Sequence, residues 1–251
     1  MIRLKTTEEI NGIRASSHLL ANIFHEVLDF VKEGKTPKQI NHYAENLIAK
    51  YGAEPSFSRY ADFPTAMCIS VNDAVIHGVP SNEPLACGDI VGFDLGIAKN
   101  GFFSDMAKTV AIGSVSATNQ KLLDDTQISL EKGIQSVKNG GRICDIGKAV
   151  SGYLKPLKYG VVYEFCGHGV GLAVHEDPQI SHDYPAPGGN QRIRAGMTLA
   201  IEPMVNLGKP EVYIDKKDKW TVRTVDGKPS AHFEHTIAVF DDHIEILTVP
   251  K

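Results

Sequence analysis

The chain has 251 residues, 42% of them apolar and 22% charged, with a formal net charge of −4. That length suits one large domain or two small ones and is ample for a buried core. The mild acidity gives no electrostatic grip on nucleic acid or anionic membrane, and no apolar run approaches the roughly 20 residues that span a bilayer. The stretch MIRLKTTEEI lacks the apolar core of a secretory signal, so the cytosol is the expected compartment. Cys68, Cys87, Cys144 and Cys166 show no CxxC spacing and are expected as reduced thiols.

Thr6 and Glu9 form a capping box ahead of Ile10, Ile13, Leu20, Ile23, Phe24, Val27, Leu28 and Val31, which recur at helical spacing and stop at Gly34. Thr36-Pro37-Lys38-Gln39 opens a second helix to about Tyr51, with proline at its first position. Residues 54–65 read as irregular and aromatic, and 66–71 as a strand. Asn72-Asp73 turns the chain, and Val75-Ile76-His77-Gly78 precedes a proline-rich loop. A hairpin follows, from Asp89 to Gly113. Residues 116–137 read as a long helix ended by Asn139-Gly140-Gly141, and 145–157 as another. Residues 161–166 read as a strand, 167–171 as a glycine-dense loop, and 179–194 as an exposed loop. Strands are expected over 197–202, 219–225, 231–240 and 243–248, the first ending near Pro203. Helices, strands, helices, strands in that order suggest two α+β halves closed over one core, with no linker that would separate domains.

The hairpin is the informative element. Asn100-Gly101 suits a type I′ turn, which needs positive φ at both central residues. With a two-residue loop, Lys99 faces Phe102, Gly96 faces Asp105, and Asp94 faces Ala107. Asp94 and Asp105 then share a face as diagonal neighbours, roughly 7–8 Å apart at Cα. Two converging carboxylates repel unless a proton or cation lies between them; alone, the pair also reads as two solvated aspartates. Three further residues stand in unusual settings. His168 is flanked by glycines, Glu202 falls inside the apolar run TLAIEPMV, and Glu234 falls inside another strand. A charged group in an apolar strand is costly unless paired or coordinated. Four carboxylates and an imidazole suit Mn, Fe, Co or Zn, with two ions sharing bridging ligands favoured by the number of carboxylates. His77 and His175 also sit beside sharp turns. Structural hydrogen bonding is the default for His18, His25, His42, His182, His232, His235 and His243.

The blocks CISVNDAVIHGVP (68–80), GDIVGFDLG (88–96), Asp105, CGHGVGLAVHEDPQ (166–179), GMTLAIEPMVNLG (196–208) and SAHFEHTIAV (230–239) make the chain resemble the type I methionine aminopeptidases. The resemblance spans nearly the whole length. It implies the pita-bread fold: an antiparallel curved sheet core, helices packed outside, pseudo-two-fold halves, and one catalytic domain over 1–251. No helical subdomain intervenes between His168 and Glu202, which separates it from type II. No large N-terminal domain is present, which separates it from prolidase and aminopeptidase P.

The resemblance further implies that Asp94 and Asp105 bind one metal, that His168 and Glu202 bind another, and that Asp105 and Glu234 bridge. It implies hydrolysis of the N-terminal methionine from nascent chains and peptides, with a small second residue, through a hydroxide between two divalent ions. Glu202 would shuttle the proton, His175 would stabilise the oxyanion and His77 would bond the scissile amide. The methionine pocket maps onto Phe57, Tyr60, Phe63, Cys68 and Trp220, and a monovalent cation onto Asn72 and Ser230. A monomer meeting the ribosome transiently is expected. The sequence departs from many relatives at Phe103-Ser104 and at Val174. An inactive binding protein on the same fold and an Xaa-Pro type peptidase are the alternative functions.

Overall fold

Capping decides where the first two helices begin. In the computed structural model, which describes residues 2–186 and 190–251, α1 (Thr7–Phe30) follows Thr6, whose hydroxyl accepts from the Glu9 amide while Glu9 reaches back to the Thr6 amide. The Thr36–Gln39 pair opens α2 (Pro37–Lys50) the same way. Each pair satisfies two donors that a helix start leaves orphaned. The region read as irregular carries β1 (Glu54–Pro55) and α3 (Ser56–Tyr60), both too short for a periodic signal. Then come β2 (Met67–Val71), β3 (Ala74–Ile76), β4 (Ile90–Lys99) and β5 (Phe102–Ala111). The hairpin register is the expected one: Lys99 opposite Phe102, Gly96 opposite Asp105, Asp94 opposite Ala107. Asn100 and Gly101 have φ of 54° and 80°.

The second half begins with α4 (Ala117–Gln135) and α5 (Cys144–Leu154), closed by a 3-10 turn over Lys155–Leu157. Ten short strands follow: β6 (Gly160–Val161), β7 (Gly167–Gly169), β8 (Glu176–Ile180), β9 (Thr198–Ile201), β10 (Met204–Asn206), β11 (Val212–Ile214), β12 (Val222–Thr224), β13 (Ser230–His232), β14 (His235–Val239) and β15 (Ile244–Ile246). All pairings between the named strands are antiparallel. The larger sheet of this half runs β15-β14-β9-β7-β8.

The structure corrects four sequence expectations. The glycine-dense stretch is not all loop: β7 pairs with β8 on one side and β9 on the other. Its glycines allow this approach, since a Cβ on Gly167 would lie 2.4 Å from the Ala200 carbonyl and one on Gly169 2.3 Å from that of Asp177. The strand expected over 161–166 shrinks to Gly160–Val161. The stretch 179–194 is not simply exposed, because Ile180, His182 and Ile193 are fully buried; its residues 187–189, like Met1, lie outside the described residues. Glu202 and Glu234 do not lie inside strands. Glu202 sits between β9 and β10, and Glu234 between β13 and β14. The two breaks face each other, since Ile201 pairs with His235 and Met204 with His232. One ribbon is thus split between two sheets at the level of both glutamates.

Each half has its own core. Leu20, Phe24, Ile40 and Ile48 of α1 and α2 pack with Met67, Phe93 and Leu95 of β2 and β4. Leu130, Ile134, Ile146 and Val150 of α4 and α5 pack with Leu199, Ile201 and Ile237 of β9 and β14. The seam between the halves is clasped by two threonines. Thr236 Oγ1 donates to the Asp105 carbonyl at 2.7 Å and accepts from the Asp105 amide at 3.3 Å. Thr109 Oγ1 donates to the His232 carbonyl at 2.9 Å and accepts from the His232 amide at 2.8 Å. Between them the Glu234 amide donates to the Ala107 carbonyl at 2.8 Å. The arrangement is a local two-fold about Ala107 and Glu234, and it brings the ligand-type residues of both halves together. Among the described residues no helix is long and apolar enough to cross a membrane.

Candidate functional site

The seam floors a cavity of about 550 Å³. Asp94, Asp105, His168, His175, Glu202 and Glu234 are among its lining, together with His77. Asp94 and Asp105 arrive on the hairpin. Gly96, opposite Asp105, admits α3: a Cβ there would lie 2.2 Å from Ser56 Oγ and 2.9 Å from the Phe57 ring. His168 arrives on β7 opposite Ala200, and its Nδ1 bonds the Gly169 carbonyl at 2.9 Å. That bond places the proton on Nδ1 and leaves Nε2 as a lone-pair donor, the tautomer a metal-binding histidine needs. His168 Nε2 lies 3.3 Å from Glu202 Oε1. Asp105, His168 and Glu234 offer ligand atoms that all lie within 4.8 Å of one another.

These groups are buried beyond what carboxylates tolerate alone. Asp105 is 3% exposed, Glu234 2%, and His168 and Glu202 8% each. Asp94 Oδ1, Asp105 Oδ1 and Glu234 Oε1 have no hydrogen-bond partner among the described residues. Burial pushes the Asp94 carboxyl up to about 7, opposed by His232 and reinforced by Glu202. Burial, then Asp94 and Glu202, holds Asp105 well above the carboxylate range. Burial does the same to Glu202, and burial with Asp105, Glu202 and Asp94 to Glu234. Burial also takes His168 down to about 3 and His77 down to about 4, and it lowers His175. Neutral imidazoles beside strained, unpartnered carboxylates are a donor set that a divalent cation satisfies. The residues therefore fit a divalent metal.

The cavity also has an apolar wall. Phe57, Phe63, Cys68 and Trp220 line it, with the Phe63 and Trp220 rings edge to face at 5.4 Å. Burial, then Asp94, holds the Cys68 thiol well above its usual pKa, so it is an uncharged wall. All four cysteines are free. Tyr60 stands apart from this wall: it is 51% exposed, with its ring edge on Phe103 and its hydroxyl bonded to Glu54. Asn72 and Ser230 do meet, the Ser230 amide donating to the Asn72 carbonyl at 2.9 Å.

Several contributors carried no sequence signal. His182 is fully buried and accepts the Glu202 amide on Nε2 at 3.0 Å. His232 Nε2 lies 3.5 Å from Glu202 Oε2. Phe165 meets the His77 ring edge-on at 5.9 Å. His175, which the sequence does single out, packs edge-on against His168 at 4.4 Å. Its loop is tied by Glu176, whose Oε1 accepts the Leu172 amide at 2.6 Å and the Ala173 amide at 3.1 Å. Glu176 Oε2 is gripped at 2.7 Å by Lys5, whose side chain is 1% exposed. Lys5 and Glu176 are 171 residues apart, so no local pattern could pair them.

Comparison with known proteins gives the family. The model of metallopeptidase family M24 matches residues 11–241. A methionine aminopeptidase of Borreliella burgdorferi is 47% identical over 240 residues, 96% of this chain and 95% of the relative. One from Treponema pallidum is 44% identical over 250 residues, 100% of this chain and 97% of the relative. The crystal structure of methionine aminopeptidase from Rickettsia prowazekii superposes with a TM-score of 0.95 at 34% identity, covering 99% of this chain and 100% of that one. The paired helical halves closed over an antiparallel core are the pita-bread fold. With a full-length match on both counts, and a buried acid and imidazole cluster at the seam, the chain belongs to metallopeptidase family M24.

Proposed function

We propose that this protein is a methionine aminopeptidase, a single catalytic domain that hydrolyses the N-terminal methionine from peptides and nascent proteins whose second residue is small. The observation that carries the reading is the mixed lining of one cavity: unpartnered buried carboxylate oxygens together with the apolar residues Phe57, Phe63, Cys68 and Trp220. An apolar, aromatic wall with an uncharged sulfur suits an unbranched thioether side chain. On this reading Asp94, Asp105, His168, Glu202 and Glu234 would hold two divalent ions of the Mn, Fe, Co or Zn kind. Bound there, the metals supply Lewis acidity and lower the pKa of water towards neutrality.

The chain's own residues do the rest. The apolar wall seats the methionine side chain and fixes which peptide bond faces the carboxylates. Glu202 takes up and hands on the proton released as water is consumed. His175, neutral and open to the cavity, donates to the carbonyl oxygen as negative charge develops there. His77, held neutral by burial with φ of 54°, donates to the scissile amide region. A monovalent cation at Asn72 and Ser230 would brace the β3 end of the seam. A cytosolic monomer that meets chains at the ribosome completes the reading.

The test is release of free methionine from a Met-Ala-Ser peptide by chelator-treated protein reloaded with Mn(II) or Co(II). Release that requires metal, and exceeds release from an Xaa-Pro substrate, supports the reading. No release with any divalent metal makes this a binding protein on a peptidase fold.

A further inference from the structure

His232 is 3% exposed, and its Nε2 has no hydrogen-bond partner among the described residues. Buried polar atoms are almost always paired, because an orphan costs its full desolvation. The Nε2 atom faces Glu202 Oε2 at 3.5 Å, while the other oxygen, Oε1, faces His168 Nε2 at 3.3 Å. Glu202 is thus bracketed by two imidazoles, and its amide is held by a third, His182. The backbone of His232 is itself locked, because Thr109 Oγ1 bonds both its amide and its carbonyl. The local two-fold adds a further relation. Asp105 precedes Ala107 by two residues as His232 precedes Glu234, and each is clasped by a threonine of the opposite strand. His232 therefore stands at the seam position that Asp105 occupies on the other side.

We propose that His232 is a positioning residue, donating from Nε2 to Oε2 of Glu202 so that the carboxylate keeps one orientation toward the metal. This rests on the reading that Glu202 is a metal ligand. Hydrogen bonds to a ligating carboxylate fix its direction and basicity, and losing one typically weakens metal binding by about 10–100-fold.

The experiment is calorimetric titration of the chelator-treated full chain with Mn(II), for the wild type and three variants. His232→Gln retains an amide nitrogen at the reach of Nε2; His232→Asn is polar but too short; His232→Leu fills the space without a donor. The Kd should rise by about 10–100-fold in the Asn and Leu variants and stay within about threefold of wild type in the Gln variant. The visible spectrum of the Co(II)-loaded protein should change in the same two variants and not in the third. Should Leu fail to fold, the Asn and Gln pair still decides the matter. Wild-type affinity in the Asn variant overturns the proposal, and so does a loss in Gln as large as in Asn, which would make the imidazole itself a ligand. A wild-type chain that binds no divalent metal overturns the metal reading as a whole.

Discussion

Asp94 and Asp105 come from a hairpin whose two strands run ten residues each. His168, Glu202 and Glu234 come from, or from between, strands of three to five residues. The first half places its carboxylates by regular pleat and register, so the turn at Asn100-Gly101 determines which residues share a face. The second half places its groups at interruptions. A glycine-flanked histidine sits where backbones crowd, and two glutamates sit where one ribbon divides between two sheets. A continuous ladder directs side chains by alternation; a break frees a residue from alternation but demands that something else hold it. Those holders are His182 on the Glu202 amide, Ala107 on the Glu234 amide and the two threonine clasps.

The sharpest way to break this contrast is to remove groups from the interrupted half. Glu234→Ala should abolish methionine release, because Glu234 closes the cluster with Asp105 and His168; full activity with normal metal content would mean that the site is complete without the break between β13 and β14. His175→Ala should lower kcat by about 10²–10³ while leaving bound metal unchanged, as expected for loss of one donor to developing charge. Metal loss in that variant would instead make His175 a ligand.

Acidity probes both sides together. Asp94, held at about 7 instead of near 4, binds a proton in the folded chain that the unfolded chain has lost; Asp105, Glu202 and Glu234 extend this upward. Stability from a raised carboxyl is complete below its unfolded pKa and lost as pH rises through the folded one. His168 and His77, at about 3 and about 4, act oppositely, but only below their unfolded value near 6.5. Chelator-treated protein should therefore lose thermal stability as pH is raised from 6.5 to 8, and metal should remove that slope. An unchanged melting temperature across that window without metal would contradict the buried-acid account.

The smallest effect tests the clasps. Thr236→Val and Thr109→Val each strand an amide and a carbonyl, worth about 1–3 kcal/mol per group left unsatisfied. That should lower the melting point by about 2–4 °C per kcal/mol in a domain of this size. Equal losses would support the two-fold; a drop in Thr236→Val alone would confine the clasp to Asp105.

What could be read from residues follows the same division. The hairpin register, both capping boxes and the facing of Asp94 and Asp105 follow from local rules, and the coordinates reproduce them. The surroundings of Glu202 and Glu234 do not follow from local rules, because alternation takes both for strand interior. β7 escaped because glycines signal loops unless two flanking strands crowd in, which only tertiary packing reveals. His182 and His232 were indistinguishable from eight other histidines, since nothing near them in sequence marks their approach to Glu202. Tyr60, mapped to the pocket by resemblance, does not line the cavity; it is 51% exposed with its hydroxyl held by Glu54.

The Thr109 and Thr236 clasps have a consequence for biosynthesis. The last member of the cluster, Glu234, enters only when β14 docks beside β5. If Glu234 is a metal ligand, a chain cut anywhere before residue 234 carries an incomplete metal site and no peptidase activity. Assembly of the site then waits on the docking of β14 beside β5, and activity before that step is prevented by topology.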